Sequence, residues 1–530
     1  MPFRLLSTLC LLGAICLASL IILVPSTGAD KPGFTALFLL IAGLILLGRS
    51  EPPKGRWAFW YLVLPVAALL LPMIGVVRAF RRLDMVSLLF HTQADFAGAG
   101  LEGLGKEVLQ AVLLTLTLIS ALYGLARLWA LRKRGIAGLA LFLLAINPLT
   151  IAVIKLALIP KPDSDLAERL TEPIPAARPD QPIDLVMIYI EGTDRQFADK
   201  AVWGESYAPL QAVADHGVAF TQVGQIVGTS WSLAGVVATQ CGVPVVPRGL
   251  LYNTNFEELD DFKPGVRCLG DVLAGHGYHS AFVYGAKERF AGTDKLFKTH
   301  GFDLMIGRET LERQFGREEL DKALIGWMLD DQMVLDAADR LHAEMAAEDA
   351  PYALVVETVG PHGANNFISR RCNSDGRSGF SGDLKLALDC TIGDVAATVT
   401  KMQSRQAALR AGRPLLVVLL SDHLNHAAAR PQTGQAYLGA NTVIMAGAGL
   451  PKGVVVDKAG SMIDVLPTVL HAMELIQPPY VSGLGVSLLT DQPTLVKRFG
   501  IDPLEPMVLF DQALALRIWT PLDKFAARNP

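Results

Sequence analysis

Residues 184–192 read DLVMIYIEG, a short apolar run rich in β-formers that stops on an acidic residue and a glycine. Four more runs have that form: YHSAFVYG (278–285), YALVVETVG (352–360), PLLVVLLSD (414–422) and NTVIMAGAG (441–449). Helical stretches separate them, among them MVLDAADRLHAEMAAE (333–348) and TIGDVAATVTKMQSRQAALRAG (391–412). Strands alternating with helices predict an α/β fold around a largely parallel sheet. In such sheets ligands bind beyond the carboxyl ends of the strands. The residues that end each run are therefore the ones to read for chemistry.

Three of those ends carry metal-binding or acid–base side chains. The first run stops at Glu191, the fourth at Ser421-Asp422-His423, and the third leads into Gly360-Pro361-His362-Gly363. Two carboxylates and two imidazoles at one edge of a sheet would make a divalent-metal and substrate site. Each signal alone has a plainer reading, since an acid ending a strand often caps a helix and an Asp-His pair often sits in a surface turn. A nucleophile would come from GTSWSLAGVVATQCG (228–242), where Thr229 follows a glycine at the start of a helix-compatible run. Backbone N–H groups at a helix start attract a phosphate. A threonine hydroxyl needs a base or a metal to become reactive near neutral pH. Thr229 or Ser230 as a simple N-cap stays open at this point.

The residues before this region have another character. Of the 530 residues 51% are hydrophobic and 18% charged, with a mean hydropathy of +0.36. The apolar excess is concentrated in residues 1–159. Five stretches approach the ~20 residues that cross a bilayer: 3–24, 34–48, 57–77, 108–129 and 137–158, the second being short. The first has no convincing small-residue cleavage site before Asp30, so it reads as a retained span. Arg49, Lys54 and Arg56 follow span two, and Arg127, Arg132, Lys133 and Arg134 follow span four. Placing both loops in the cytoplasm leaves everything after span five outside. Arg78, Arg81 and Arg82 fall on the opposite side of that scheme. A net charge of −4 without a basic tract excludes a nucleic-acid partner.

Residues 80–105 are neither cleanly apolar nor loop-like and predict an interfacial amphipathic segment, with His91 and Asp95 on its polar face. The proline-rich stretch 160–182 predicts a semi-extended tether. A catalytic domain over 183–495 and an unassigned tail over 496–530 follow. Cys10 and Cys16 lie in span one, whereas Cys241, Cys268, Cys372 and Cys390 all lie beyond the spans. An even count in an oxidising compartment predicts two disulfides. Four cysteines allow three pairings, of which proximity favours Cys241–Cys268 and Cys372–Cys390.

Several longer stretches resemble one known family. They are IYIEGTDRQF (188–197), GTSWSLAGVVATQCGVP (228–244), CLGDVLAGHGY (268–278), RFAGTDKLFKTHGFD (289–303), FISRRC (367–372), LSDHL (420–424) and, near the spans, HTQADFAGAG (91–100). The external domain is similar to the sulfatase-like, alkaline phosphatase-like superfamily, and the stretches resemble its phosphoglycerol transferase I family. That likeness implies an α-helical transmembrane bundle followed by an α/β sulfatase-like extracytoplasmic domain, in a multi-pass protein of the bacterial inner membrane with a periplasmic catalytic domain. It implies Glu191, Thr229, Asp422 and His423 as metal ligands, with Thr229 also the nucleophile and His362 a contact of the substrate phosphate. The four external cysteines fall where that family has them. Lipoteichoic acid synthases carry a substrate-binding arginine where this chain has Thr293, which leaves nearby Arg289 as the candidate.

The expected activity is transfer of phosphoglycerol from phosphatidylglycerol to a periplasmic glycan, an osmoregulated periplasmic glucan, through a phosphothreonine. The cofactor is a divalent metal, Mn2+ or Zn2+, between which such a ligand set does not discriminate sharply. A phosphoethanolamine transferase acting on lipid A or another glycan is the alternative. A true sulfatase is disfavoured, because Cys241-Gly242-Val243-Pro244 lacks the Cys/Ser-x-Pro-x-Arg pattern of those enzymes. A non-catalytic receptor is disfavoured by the intact acidic and histidine positions. His426, three residues after His423, reads as a loop residue.

Overall fold

The apolar stretches fold into helices of unequal length in this computed structural model, which describes residues 2–23, 30–48, 56–80, 105–158, 160–246, 256–362, 366–425 and 439–523. They are α1 (Pro2–Leu23), α2 (Asp30–Leu47), α3 (Leu64–Phe80, continuing a π-turn at Phe59–Val63), α4 (Gly105–Leu128), α5 (Lys133–Ala145) and α6 (Pro148–Leu158). Among the described residues three helices are long and apolar enough to span a membrane: Phe3–Leu23, Phe59–Val77 and Glu107–Leu128. The bent pair Lys133–Ala145 and Pro148–Lys155 makes up to four. All five expected stretches are helical, and two of them are short or bent. The apolar part of α2 is only Pro32–Leu47. The fifth stretch bends by 67° between α5 and α6. There Pro148 has no N–H to continue the ladder, and Asn147 Oδ1 accepts the Leu149 N–H at 2.9 Å to start a new helix. His91 and Asp95, with most of the expected interfacial segment, lie outside the described residues.

The chain divides into two compact units, and the second holds Pro160–Pro530. Its centre is an eight-stranded sheet. The strands are β1 (Asp184–Tyr189), β2 (Gly217–Phe220), β3 (His279–Val283), β4 (Leu304–Ile306), β5 (Tyr352–Glu357), β6 (Leu415–Leu420), β7 (Val443–Gly447) and β8 (Val454–Val456). Their order across the sheet is β8-β2-β7-β6-β1-β5-β3-β4. Only β7 runs antiparallel to its neighbours.

Strand β1 shows why the decisive run reads as continuously apolar. Leu185, Met187 and Tyr189 face one core and Val186, Ile188 and Ile190 the other. A strand covered on both faces has no polar side to alternate with. Helix α7 (Ser232–Cys241) packs in the first core, and α8 (Asp331–Ala347) and α9 (Leu384–Leu409) in the second.

Two segments differ from the sequence reading. The expected tether, 160–182, is bound to the domain. Leu166 and Leu170 are buried in the first core, and Thr171 and Pro175 form β-bridges to Gly483 and Ile476. Ser164 donates to Asp511 at 2.7 Å. The unassigned tail also packs: it forms helices Leu495–Phe499, Ile501–Phe510 and Gln512–Trp519. Trp519 is buried against Phe256 and donates from its indole to the Val246 carbonyl at 3.0 Å. Burying Leu166 and Leu170 contributes about 2 kcal/mol each to docking the proline-rich stretch, and burying Trp519 a similar amount to docking the tail.

Candidate metal centre and active site

Register puts the first two acids together. β1 and β6 are parallel neighbours with Tyr189 opposite Leu420. Glu191 and Asp422 therefore each lie two residues beyond the same rung. The turns after the strands hold each other, because the Gly192 N–H donates to Asp422 Oδ1 at 2.8 Å. Ligand atoms of Glu191, Asp422 and His423 lie within 4.8 Å of one another, and all three residues are buried.

His423 is oriented by its own backbone. Its Nδ1 lies 2.9 Å from the Leu424 carbonyl, which can only accept, so Nδ1 carries the hydrogen and Nε2 faces the acids. Nε2 is 3.2 Å from Glu191 Oε1 and 3.3 Å from Asp422 Oδ2. Burial pulls the imidazole pKa down, but Asp422 and Glu191 outweigh it and hold it up at about 10. Burial, reinforced by Glu191, pushes Asp422 up to about 7. Burial also opposes ionisation of Glu191, but the His423 charge wins and lowers its pKa.

Two buried carboxylates a few ångströms apart are stable together only with a proton or a cation between them. Asp422 Oδ2 has the His423 imidazole 3.3 Å away and makes no well-formed hydrogen bond among the described residues. Glutamate, aspartate and the imidazole Nε2, once a cation displaces its proton, form an oxygen-and-nitrogen donor set that fits a divalent cation of the manganese or zinc kind.

The hydroxyl that joins this cluster is that of Ser232, not Thr229. Ser232 Oγ donates to Glu191 Oε2 at 3.2 Å and lies 3.5 Å from His423 Nε2. Helix α7 begins at Ser232, three residues later than the sequence suggested. Gly228 takes a left-handed turn at φ 76°, where a Cβ would stand 2.5 Å from the Val245 carbonyl oxygen. Thr229 then points back, and its hydroxyl donates to the Ile226 carbonyl at 2.8 Å. The helix is pinned to β1 by Tyr189, whose hydroxyl meets Thr239 Oγ1 at 2.5 Å and accepts from Gln240 Nε2 at 2.9 Å. Its far end is tied by the Cys241–Cys268 disulfide; Cys372–Cys390 is the second bridge.

His362 lies beside this centre. β5 neighbours β1 on the side opposite β6, with Glu357 opposite Tyr189. The turn after it is held by Asp331, which accepts from the N–H groups of Val359 at 2.6 Å and Gly360 at 3.0 Å. Asn425 Nδ2 donates to the Pro361 carbonyl at 3.1 Å, joining this turn to the one that carries Asp422 and His423. Glu191, Ser232 and His362 line one pocket, together with Glu357, Phe290 and Trp327. Arg289 is exposed, and the pocket wall takes its neighbours Phe290 and Ala291 instead. His426 lies outside the described residues. Ser232 and Glu357 were missed in the sequence: three hydroxyls fall within four residues at 229–232, and Glu357 reads as part of an apolar strand.

A family model described as Sulfatase matches residues 185–475. Phosphoglycerol transferase I of Escherichia coli strain 55989 is 32% identical over 267 residues, covering 49% of this chain and 33% of that protein. Phosphoglycerol transferase I of Shigella boydii serotype 18 matches to the same extent. The aligned region thus spans a third of the length of these curated relatives. Among solved structures, the lipooligosaccharide phosphoethanolamine transferase EptA of Neisseria meningitidis is 16% identical with a TM-score of 0.47, covering 89% of this chain and 95% of that one. The lipoteichoic acid synthase LtaP of Listeria monocytogenes is 14% identical with a TM-score of 0.45, covering 62% and 80%.

Proposed function

This chain belongs to the sulfatase family of enzymes, and from that premise we propose that it is a membrane-anchored transferase moving phosphoglycerol from phosphatidylglycerol to a glycan. The observation that carries the reading is the Ser232 hydroxyl, 3.2 Å from Glu191 at the start of a helix and in the same pocket as His362. The 32% identity to phosphoglycerol transferase I supports the donor. A periplasmic glucan as acceptor and a periplasmic catalytic domain belong to the same proposal.

Glu191, Asp422, His423 and Ser232 would hold the divalent cation, manganese or zinc. Such a cation, when bound, makes a coordinated hydroxyl more acidic. Ser232 Oγ attacks the phosphorus of the donor, and its proton passes to Glu191, the acceptor of its hydrogen bond. The bond from phosphorus to the diacylglycerol oxygen breaks, and His362 orients or protonates that oxygen. A glycan hydroxyl then attacks the phosphoserine and gives its proton to His362, while Glu191 returns its proton to the departing Ser232 oxygen, which completes the transfer. Thr229, the nucleophile expected from the sequence, acts in this reading only through the turn that sets the helix start.

Separate incubations with head-group-labelled phosphatidylglycerol and phosphatidylethanolamine test the donor. Label should move to acceptor glycan from phosphatidylglycerol. Transfer from phosphatidylethanolamine alone would replace this reading with the phosphoethanolamine alternative.

A further inference from the structure

Glu357 has no part in the chemistry above, yet it lines the same pocket as Ser232 and His362. Its strand register fixes it there, because it pairs with Tyr189, two residues before Glu191. Glu357 is half-buried, and the hydroxyls nearest to it on the pocket wall donate elsewhere. Neighbouring hydroxyls are already committed: Thr293 donates to the Phe290 carbonyl at 2.8 Å, Tyr284 to that of Lys287, and Thr358 to that of Tyr189 at 3.1 Å. The surrounding wall is apolar and aromatic, formed by Leu233, Val236, Phe290 and Trp327. An unpartnered carboxyl against such a wall costs stability unless something else supplies its hydrogen bonds.

We propose that Glu357 is the specificity-determining residue for the donor head group, its two carboxyl oxygens binding the adjacent hydroxyls of the phosphoglycerol unit. This rests on the reading of the pocket as the donor site. A phosphodiester held at Ser232 carries two groups, the diacylglycerol that leaves and the head group that is transferred, and the proposal places the head group beside Glu357. Each hydroxyl of a 1,2-diol can donate or accept, so the pair matches the two oxygens of one carboxyl group whether ionised or protonated. Its carbon chain lies against the aromatic faces of Phe290 and Trp327. Buried polar groups left without partners are what make such a site reject an analogue that lacks the hydroxyls.

The test uses the full-length enzyme with phosphatidylglycerol and with phosphatidylpropanol, which carries the same phosphodiester without the diol. Wild-type enzyme should prefer phosphatidylglycerol in kcat/KM by on the order of 100-fold or more. In Glu357→Ala that ratio should fall toward one, and in Glu357→Gln, which keeps one acceptor, it should be intermediate. A ratio unchanged in both variants overturns the proposal, as does loss of both substrates alike in the shape-conserving Gln variant. A preference for phosphatidylethanolamine that disappears in Glu357→Ala would contradict the diol in favour of an ammonium group. A wild-type enzyme that transfers nothing from phosphatidylglycerol would instead sink the proposed function itself.

Discussion

Gly235 and Asp422 approach so closely that a β-carbon on Gly235 would stand 1.7 Å from the Asp422 carbonyl oxygen. The helix that presents Ser232 is thus seated directly on the turn that presents two of the three clustered ligands. Gly235→Ala should force the helix off this turn, because the obstacle is backbone rather than a flexible side chain. Overpacking of this kind costs about 1–3 kcal/mol. The expected result is a lower melting temperature and loss of at least roughly 90% of activity, since small misplacements at a reacting centre cost about 100-fold. Wild-type activity in this variant would show that the helix start need not be fixed there.

Metal content should follow Asp422. The purified protein is expected to carry a divalent cation, and Asp422→Asn should reduce it sharply because one carboxylate of the cluster is lost. Elemental analysis of both proteins, before and after chelator treatment, checks this. Equal metal in wild type and variant would place the ion elsewhere.

A pH effect should arise far from the centre, at His342. Its Nε2 is 2.8 Å from the Tyr352 hydroxyl and its Nδ1 is 3.0 Å from Arg405. Burial, then the Arg405 charge, pulls its pKa from 6.5 down to about 4. Between those values the unfolded chain binds more protons than the folded one, so stability rises with pH across the window and is lost on acidification. The loss from pH 7 to 4 is about 3 kcal/mol from this group. His342→Gln should therefore flatten the acid limb of the unfolding profile, measured against wild type.

The two disulfides give a test of stability and of compartment together. Cys241–Cys268 closes a separation of 27 residues, and removing a bridge of that span costs about 3 kcal/mol. Protein from intact cells should migrate as the oxidised form without reductant, and Cys268→Ser should melt at a lower temperature. Fully thiol-reactive cysteines in freshly isolated protein would argue against an external domain.

The acids and His423 were legible because strand ends in a parallel sheet converge, and register alone carries Glu191 and Asp422 to one place. The choice among Thr229, Ser230 and Ser232 was not, since it turns on where the helix starts. That start depends on the left-handed Gly228 and on the contact between Gly235 and Asp422, both tertiary facts. The placement of Arg289 turns on a similar local fact: the short helical turn at Phe290–Gly292 brings its neighbours to the pocket wall and leaves Arg289 exposed beside it. The 160–182 stretch was misread from its prolines, although Leu166 and Leu170, four residues apart, were the signal that it docks.

The serine assignment is most directly tested by trapping the covalent intermediate. Enzyme mixed with phosphatidylglycerol in the absence of acceptor, quenched in acid and digested, should yield a 228–242 peptide bearing phosphoglycerol on Ser232, and Ser232→Ala should yield none. An adduct on Thr229, or full transfer by the Ser232→Ala enzyme, would contradict the account.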